Sequence, residues 1–412
     1  MDNVTHALVG LLFAELVVVA AERAQPRATA VRAATYSVAI IGNNLPDLDF
    51  VYQRISGKTF GYLLQHRGYT HTVLSALAFA GVMLGVVRAV FRLRGSTLEK
   101  PDWLQLAAVA IASPLLHLVM DFANNYGVHP FWPFDNTWFY GDSFFIVEPA
   151  FWIVIIAPLA ASYSSKLARG GLWFALSVSV GALWYEPFVP RRQAFMLTFL
   201  AALLVFRARG QAPVARAASA ALGFAAVASL FVVSGFVARR TARAAALASS
   251  HGTLVLDVVA TPMPANPFCW NLLLLKRERG TYVVRVGRAA IAPAWLDLAH
   301  CPFDRDSRPT APLQAAPEDA GASLVWASEY RLPVAELQAL SGARCEAQAF
   351  FRFARAPYLT AAAEDGSRVL GDLRYDRNPG LDFADVRLAP TQGKCPAFVP
   401  PWRPPRADLL NR

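Results

Sequence analysis

Long apolar runs recur through the first 240 residues of this 412-residue chain, separated by short polar breaks. A run of about 20 apolar residues can cross a bilayer as one helix, so repeated runs predict a multi-pass membrane protein. The chain is 55% apolar, above the roughly 45–50% of soluble globular chains. We predict about eight spans, some short or re-entrant, near residues 7–21, 33–45, 73–91, 103–121, 149–162, 172–185, 195–206 and 217–237.

The distribution of Lys and Arg indicates how these spans are oriented, because cytoplasmic loops carry an excess of both. With the N-terminus outside, twelve fall in inside loops and five in outside loops. The outside count rises to eight when Arg239, Arg240 and Arg243, which follow the last run, are included. The bias predicts an N-terminus outside the cytoplasm. Since Asp2 and no Lys or Arg precede the first run, we expect an uncleaved helix there rather than a signal peptide.

The net charge of +10 does not indicate a nucleic-acid partner. The basic residues are mostly Arg, scattered at the ends of apolar runs and through the C-terminal half, without a basic stripe interleaved with aromatic residues. Such charges in a membrane protein are typical of orientation signals. The partner we expect is the lipid bilayer, and the sequence does not determine the oligomeric state.

Two domains are predicted, a transmembrane domain over residues 1–240 and a mainly β (α+β) domain over residues 241–412. Segments of the second domain, such as Thr253–Ala260 and Tyr282–Val286, are rich in β-branched and apolar residues and lie between turn-formers. The tail from Pro396 is rich in proline and is expected to be irregular. With eight spans, this second domain lies outside the cytoplasm.

All four cysteines lie in the second domain, and no two of them form a CxxC pair, so a cysteine zinc site is not expected. An even number of well-spaced cysteines in an oxidising compartment predicts two disulfides. The sequence leaves open all three ways of joining four cysteines into two disulfides. The alternative is that all four are buried free thiols. The cysteines are Cys269, Cys301, Cys345 and Cys395.

Five of the seven histidines lie within the first 130 residues, beside the apolar runs, with three aspartates among them. Imidazole and carboxylate groups are costly near hydrocarbon, so such a cluster indicates a functional site. The two types together are common ligands of divalent metals. These candidate residues are His6, His66, His71, His117, His129, Asp47, Asp49 and Asp121.

Local spacing tells how some of these side chains can act. His117 and Asp121 are four residues apart, so they share one face of a helix and can reach one metal ion. Asp47 and Asp49 follow Pro46 and do not share a face of a regular element. They either converge on a cation from a loop, or one binds the ion while the other orients a histidine.

The segment His66–His71 places two histidines about 140° apart on a regular helix. We therefore expect His66 in a loop and His71 at the entry of the third span, with Thr70 as its cap. Arg67 between them suits a charged oxyanion, because its planar guanidinium binds phosphate or carboxylate through two hydrogen bonds. An interfacial loop that meets lipid headgroups is the alternative.

The segment 122–149 follows Asp121 directly, is aromatic, and lacks Lys and Arg. Its carboxylates, including Asp142 and Glu148, are candidates for a second metal site or for a general base. In the predicted orientation, all of these polar segments lie at the outer face of the membrane. The sequence therefore predicts one shared pocket there.

Taken in order, these motifs resemble the YdjM-like family of membrane-bound metal-dependent hydrolases. The resemblance covers about the first 150 residues, and residues 260–270 resemble a segment of longer members. It implies hydrolysis without naming a substrate. The family usually has Asp where this chain has Glu148, and often Ser where it has Thr72. The matching motifs are Thr5-His6 with Gly10, Pro46-Asp47 with Asp49, His66-Arg67-Gly68 with Thr70-His71, His117 with Asp121, Gly127 with Pro133-Phe134, and Glu148-Pro149.

The sequence thus predicts a metallohydrolase of the inner (plasma) membrane, with an outward-facing site that acts on a lipid-like or envelope phosphoester. One or two divalent ions, best suited to zinc, are expected at His6, His66, His71, His117 and Asp121 with Asp47 or Asp49. Asp49, Asp142 or Glu148 would accept a proton, and Arg67 would stabilise developing charge. The alternatives are a transporter and a non-catalytic envelope protein with a structural metal.

Overall fold

The computed structural model describes residues 1–24, 28–160, 163, 165–249, 253–301, 311–317, 321–375 and 383–410. Its N-terminal part is a bundle of helices, and its C-terminal part is built mainly of strands. The bundle helices are α1 (Asn3–Ala24), α2 (Thr29–Gly42), α3 (Lys58–Gln65), α4 (Val73–Leu93), α5 (Lys100–Phe122), α6 (Pro149–Leu159), α7 (Lys166–Tyr185), α8 (Arg191–Ala208) and α9 (Pro213–Ser249).

Five helices in the described residues are long and apolar enough to cross a membrane, namely α1, α4, α5, α7 and α9. The expected count of about eight spans is therefore not confirmed. The other three predicted runs do contain helices, but α2 has 14 residues and α6 has 11. Helix α8 has 18 residues with arginines near both ends. Residues 161–162, at the end of the fifth predicted span, lie outside the described residues.

Helices α1 and α2 pack so closely that only glycine fits between them at one point. A Cβ atom on Gly10 would lie 2.7 Å from the carbonyl oxygen of Ala39. Near this contact the side-chain amide of Asn43, just after α2, donates to the carbonyl oxygen of His6 at 2.7 Å. The start of α1 and the end of α2 therefore meet at one end of the bundle.

Helix α9 extends well beyond the thickness of a membrane. Its 37 residues span about 55 Å at 1.5 Å per residue, whereas about 20 residues suffice to cross a bilayer. Its last turns pack against the strands that follow, where a Cβ atom on Gly235 would lie 2.7 Å from the ring of Trp270. The predicted domain boundary at residue 240 falls inside this helix, and the first strand begins at Thr253.

The C-terminal part contains two antiparallel sheets, which confirms a sheet-rich region. The larger sheet has the strand order β1-β2-β3-β5-β4, and the smaller has β6-β7-β8. Both predicted segments, Thr253–Ala260 and Tyr282–Val286, lie within strands. The elements are β1 (Thr253–Met263), β2 (Asn266–Glu278), β3 (Thr281–Ala290), β4 (Gln314–Ala315), β5 (Leu324–Pro333), α10 (Val334–Ala343), α11 (Cys345–Phe350), β6 (Pro357–Leu359), β7 (Arg368–Asp372), β8 (Asp385–Leu388) and α12 (Ala407–Leu410).

The four cysteines form two disulfides, as expected. Cys269 in β2 pairs with Cys301, and Cys345 at the start of α11 pairs with Cys395 in the tail. The pairing itself was open from the sequence. The second bridge closes a segment of 50 residues and fastens the tail to the domain.

The C-terminal domain rests on the bundle end where α5 finishes. Arg374 donates to the carbonyl oxygen of Asn125 at 2.8 Å, and the Asn125 side chain donates to Thr261 Oγ1 at 2.8 Å. The tail from Pro396 is irregular to residue 404, as expected, but it is anchored by Trp402. This ring is fully buried, and its Nε1 donates to the carbonyl oxygen of Leu64 at 2.9 Å.

Candidate metal centre

Four acidic and histidine side chains from three separate segments meet at this end of the bundle. His117 and Asp121 lie one turn apart near the end of α5. His71 immediately precedes α4, whose N-cap is Thr72, with its side chain accepting from the Ser75 amide at 3.0 Å. Asp47 lies on the 3₁₀ turn Leu45–Val51 that follows α2. One donor atom of each lies within 4.8 Å of the others.

The separations between these atoms match those of a tetrahedral metal site. His71 Nε2 and His117 Nε2 lie 3.0 Å apart. Asp121 Oδ2 is 3.1 Å from the first nitrogen and 3.3 Å from the second, and Asp47 Oδ1 is 3.4 and 3.7 Å from them. Bonds of about 2.0–2.1 Å to a tetrahedral zinc ion give ligand–ligand edges of roughly 3.3 Å. Five of the six edges therefore lie close to that value.

Two further observations indicate that a cation fits among these atoms. Asp121 Oδ2 is buried, yet it accepts no well-aligned hydrogen bond from the described residues. His117 Nδ1 donates to the carbonyl oxygen of Asn43 at 2.9 Å. Because a carbonyl only accepts, Nδ1 carries the proton, so Nε2 presents its lone pair to the cluster.

The ring of His71 is also contacted at its second nitrogen, Nδ1, which points away from the cluster. Its Nδ1 lies 3.1 Å from Thr70 Oγ1, and His71 is fully buried. The prediction that Thr70 caps α4 is therefore wrong, because Thr72 fills that position and Thr70 contacts the His71 ring instead. The hydroxyl fixes the ring so that Nε2 faces His117.

His6 lies beside the four-atom group but outside it. Its Nε2 is 3.2 Å from the second carboxylate oxygen of Asp121, Oδ1, and its ring stacks on that of His117 at 3.8 Å. The α-amino group of Met1 also contacts Asp121 Oδ1. His6 thus orients the ligand carboxylate and the ligand imidazole.

Asp49 and His66 form a second pair next to the cluster. His66 Nδ1 lies 3.1 and 3.2 Å from the two carboxylate oxygens of Asp49. Asp49 Oδ2 also accepts from the backbone amide of Arg67 at 2.9 Å and lies 3.6 Å from His71 Nδ1. Of the two alternatives for the paired aspartates, this geometry matches the one in which Asp47 faces the ion and Asp49 orients a histidine.

Arg67 is buried beneath the cluster rather than extended into solvent. Its Nη1 donates to Asn124 Oδ1 at 2.7 Å, and its Nε lies 3.0 Å from Asp121 Oδ2. The guanidinium also lies over the ring of Tyr126, 5.0 Å from its centroid. The Arg67 guanidinium therefore holds the Asp121 carboxylate in place and puts a positive charge directly beside the candidate metal position.

Asp142 and Glu148 make contacts with the C-terminal domain. Both carboxylate oxygens of Asp142 accept from Arg355 at 2.8 Å. Glu148 is the N-cap of α6, where Oε1 accepts from the amide of Ala150 at 3.0 Å and from that of Ala265 at 3.1 Å. Neither belongs to the four-atom group, so these carboxylates tie the membrane domain to the β domain.

The stability of the fold is expected to depend on Glu148 ionisation. Burial raises the pKa of Glu148 to about 8, although the Ala150 and Ala265 amides favour the charged form. Because the pKa of Glu148 is higher in the folded chain than in the unfolded chain, the protonated carboxyl stabilises the fold. This stabilisation is complete below the unfolded pKa, near 4.5, and is lost as the pH rises through 8. We expect the melting temperature of the wild type to fall between pH 6 and pH 9.

The Glu148→Gln variant keeps an acceptor oxygen and cannot ionise, so its melting temperature should change less over that range. Glu364→Gln, at an exposed position of the C-terminal domain, is the matched control and should follow the wild type. Thermal unfolding in detergent at a series of pH values measures this. A profile for Glu148→Gln identical to that of the wild type would contradict the interpretation.

His129 belongs to the junction between the domains rather than to the cluster. Its ring is buried, stacks on Trp402 at 3.9 Å, and its Nδ1 lies 3.3 Å from the carbonyl oxygen of Arg67. Burial lowers the pKa of His129 to about 3. The neutral ring donates to that carbonyl and so holds the loop that carries Arg67.

Comparisons with known proteins give one match, which covers the part of the chain that contains the cluster. Residues 1–193 match the family model described as YdjM inner membrane protein. This part of the chain is similar to the YdjM family. The matched region contains every residue of the cluster and ends in α8. No curated protein and no solved structure matches the chain. The similarity is therefore to an inner membrane protein family, and the reaction has to be argued from the site.

Several residues around this site could not be chosen from the sequence. Asn43 contacts His6 and His117 through its side chain and backbone, and Asn124 accepts from Arg67. Trp402 supports the Arg67 loop through its stacking on His129, from a position 273 residues further along the chain. Asn43 and Asn124 do adjoin the aspartate motifs, and that proximity was the available signal.

Proposed function

We propose that this protein is a membrane-bound metal-dependent hydrolase with one divalent ion held by Asp47, His71, His117 and Asp121. The observation that supports this most is that five of the six distances between the four inward-facing donor atoms are 3.0–3.7 Å. Two imidazoles and two carboxylates suit zinc. Bound there, such an ion would lower the pKa of water to about 7 and polarise a phosphoryl oxygen.

The chain's own residues would then position the substrate and move the proton. Asp49 is the carboxylate that adjoins the cluster, and its contact with His66 Nδ1 makes the two a candidate proton-accepting pair. Asp142 and Glu148 are less suited, because both are engaged by the C-terminal domain. Arg67 would offset negative charge that develops near Asp121.

Exposure indicates where a substrate would enter. The ligands His71, His117 and Asp121 are fully buried, while the Asp47 side chain is 15% exposed and that of His66 is 14% exposed. The opening therefore lies on the side of Asp47 and His66, at the end of membrane-spanning helices. This location favours a lipid-like or envelope phosphoester that is presented at the membrane surface.

The test is a screen of phosphodiester and phospholipid probes with purified protein, with and without a chelator. Asp49→Asn should lower turnover about 100-fold or more while the metal content stays at the wild-type level. Asp365→Asn, exposed in the C-terminal domain, is the matched control and should retain full turnover. Loss of metal in Asp49→Asn, or chelator-resistant turnover, would contradict the proposal.

A structural metal is the second candidate, and the ligand count favours it. Structural zinc sites have four protein ligands, whereas catalytic ones usually have three and a water molecule. Under this alternative, removal of the metal lowers the melting temperature, and no probe is hydrolysed. Under the hydrolase proposal, Asp47, the partly exposed ligand, would leave a coordination position to water or substrate.

We further propose that the cluster and the C-terminal domain face away from the cytoplasm. The Lys and Arg bias and the two disulfides support this, because disulfides persist in oxidising compartments. A membrane-impermeant thiol reagent should label Asp365→Cys in intact cells and should not label Arg94→Cys, at the opposite end of the bundle. The reverse labelling pattern would contradict the orientation.

A further inference from the structure

A second polar cavity lies apart from the metal cluster, where α9 meets the loop after α5 and the strand β1. Its volume is about 500 Å³. Apolar side chains, including Phe236 and Val258, line one part of it. The charged residues that line it are Arg239, Arg240, Arg243, Arg355, Asp142 and Asp257.

The negative charges of this cavity are already neutralised. Arg355 donates to both oxygens of Asp142 at 2.8 Å, and its Nε donates to Asp257 at 2.8 Å. Arg239 Nη1 donates to the backbone carbonyl oxygens of Gly141 and Asp142. With four arginines and two aspartates, the lining carries two excess positive charges.

The excess charge resides on Arg240 and Arg243, which are three residues apart on α9 and so share a face. Both are exposed, and neither forms an ion pair within the described part of the chain. Two free guanidinium groups above a cavity of this size can bind a phosphate group through paired hydrogen bonds.

The position of this pair along α9 suggests where the phosphate comes from. About 20 residues from Pro213 suffice to cross a bilayer, so Arg239–Arg243 lie a few residues past the apolar span, at the level of the lipid headgroups. Phe236, one turn earlier, is 58% exposed. In the predicted orientation these arginines lie outside the cytoplasm, where the Lys and Arg bias predicts few basic residues. A role in lipid binding explains why they are there.

We propose that this cavity binds the phosphate of an anionic phospholipid headgroup. Arg240 and Arg243 bind the phosphate oxygens, and Arg355 keeps the two aspartates of the cavity wall neutralised. Phe236 and Val258 contact the apolar part of the lipid. Basic pockets beside membrane spans bind anionic lipids in this way. The proposal is independent of the hydrolase proposal, because it uses none of the cluster residues.

The test is the binding of short-chain phosphatidylglycerol to the full-length protein in neutral detergent, measured by native mass spectrometry and by thermal shift. Each arginine near a membrane surface contributes about 1 kcal/mol, so the double variant Arg240→Gln/Arg243→Gln should bind roughly 30-fold more weakly. The matched control is Arg207→Gln/Arg209→Gln, which removes the same charge at the far end of α8 and should bind within about twofold of the wild type.

Phosphatidylcholine and inorganic phosphate distinguish the sources of the ligand. Tighter binding of phosphatidylglycerol than of either one supports the proposal. Equal binding of phosphatidylcholine, or equal binding of inorganic phosphate, would overturn the assignment to an anionic lipid. Unchanged affinity in Arg240→Gln/Arg243→Gln, or an equal loss in the control variant, would overturn the site itself.

Discussion

Replacing His117 by alanine should leave the purified protein with less than about a tenth of the wild-type metal content. Loss of a residue that merely orients a ligand lowers metal affinity about 10–100-fold, and loss of a ligand should exceed that. His117 is fully buried, and its Nε2 lies 3.0 Å from His71 Nε2 and 3.3 Å from Asp121 Oδ2. Elemental analysis after purification without chelator measures the effect.

Two histidine controls make this result specific. His300→Ala removes an imidazole that is 74% exposed and paired with Asp297 in the C-terminal domain, so it should retain all of the metal. His6→Ala should retain most of it, because His6 contacts Asp121 Oδ1 rather than belonging to the four-atom group. Wild-type metal content in His117→Ala would refute the ligand assignment.

The second large effect is expected at Arg355. This buried guanidinium holds Asp142 of the membrane domain and Asp257 of β1. Its removal takes the ion-pair partner from the buried Asp142 carboxylate and leaves Asp257 with the longer contact to Arg406 at 3.6 Å. Breaking such a buried pair costs about 3–5 kcal/mol. For Arg355→Met we expect the melting temperature to fall by roughly 6–20 °C.

The matched control for this variant is Arg387→Met. Its pair with Asp365 is more than half exposed on both sides and should contribute less than about 1 kcal/mol. Adding Asp142→Asn and Asp257→Asn to Arg355→Met should recover part of the loss, because the uncompensated charges are then removed. A fall no larger than that of Arg387→Met would show that this network does not hold the domains together.

Local spacing was enough to predict the parts of the site that lie on one element. His117 and Asp121 are one turn apart, and any helix through them places both on one face. The choice between Asp47 and Asp49 could not be made in the same way, because it depends on the 3₁₀ conformation of Leu45–Val51. That conformation turns Asp47 to the cluster and Asp49 to His66.

The remaining differences come from contacts between residues far apart in the chain. Glu148 was assigned a chemical role from its proximity to the motifs, yet its oxygen accepts from Ala265, 117 residues away. Asp142 pairs with Arg355 across 213 residues. Such contacts depend on how the β domain docks, and no local pattern encodes that.

The helices and strands also show that local patterns predict an element but not its contacts with distant parts of the chain. Apolar runs predicted the helices, but α2 ends after 14 residues at Gly42, where the chain turns into the metal site. Segments rich in β-branched and apolar residues predicted β1 and β3 correctly, since local propensity and burial agree there. The disulfide pairing depended on the register of the sheet and the path of the tail.

The most direct test of the metal centre is a diffraction measurement at the absorption edge of the bound metal, on protein purified without chelator. We expect one ion within about 2.0–2.2 Å of His71 Nε2, His117 Nε2 and an oxygen of each of Asp47 and Asp121. An ion bound elsewhere, at His66 or His6 for example, or protein with no ion at these four groups, would contradict the account.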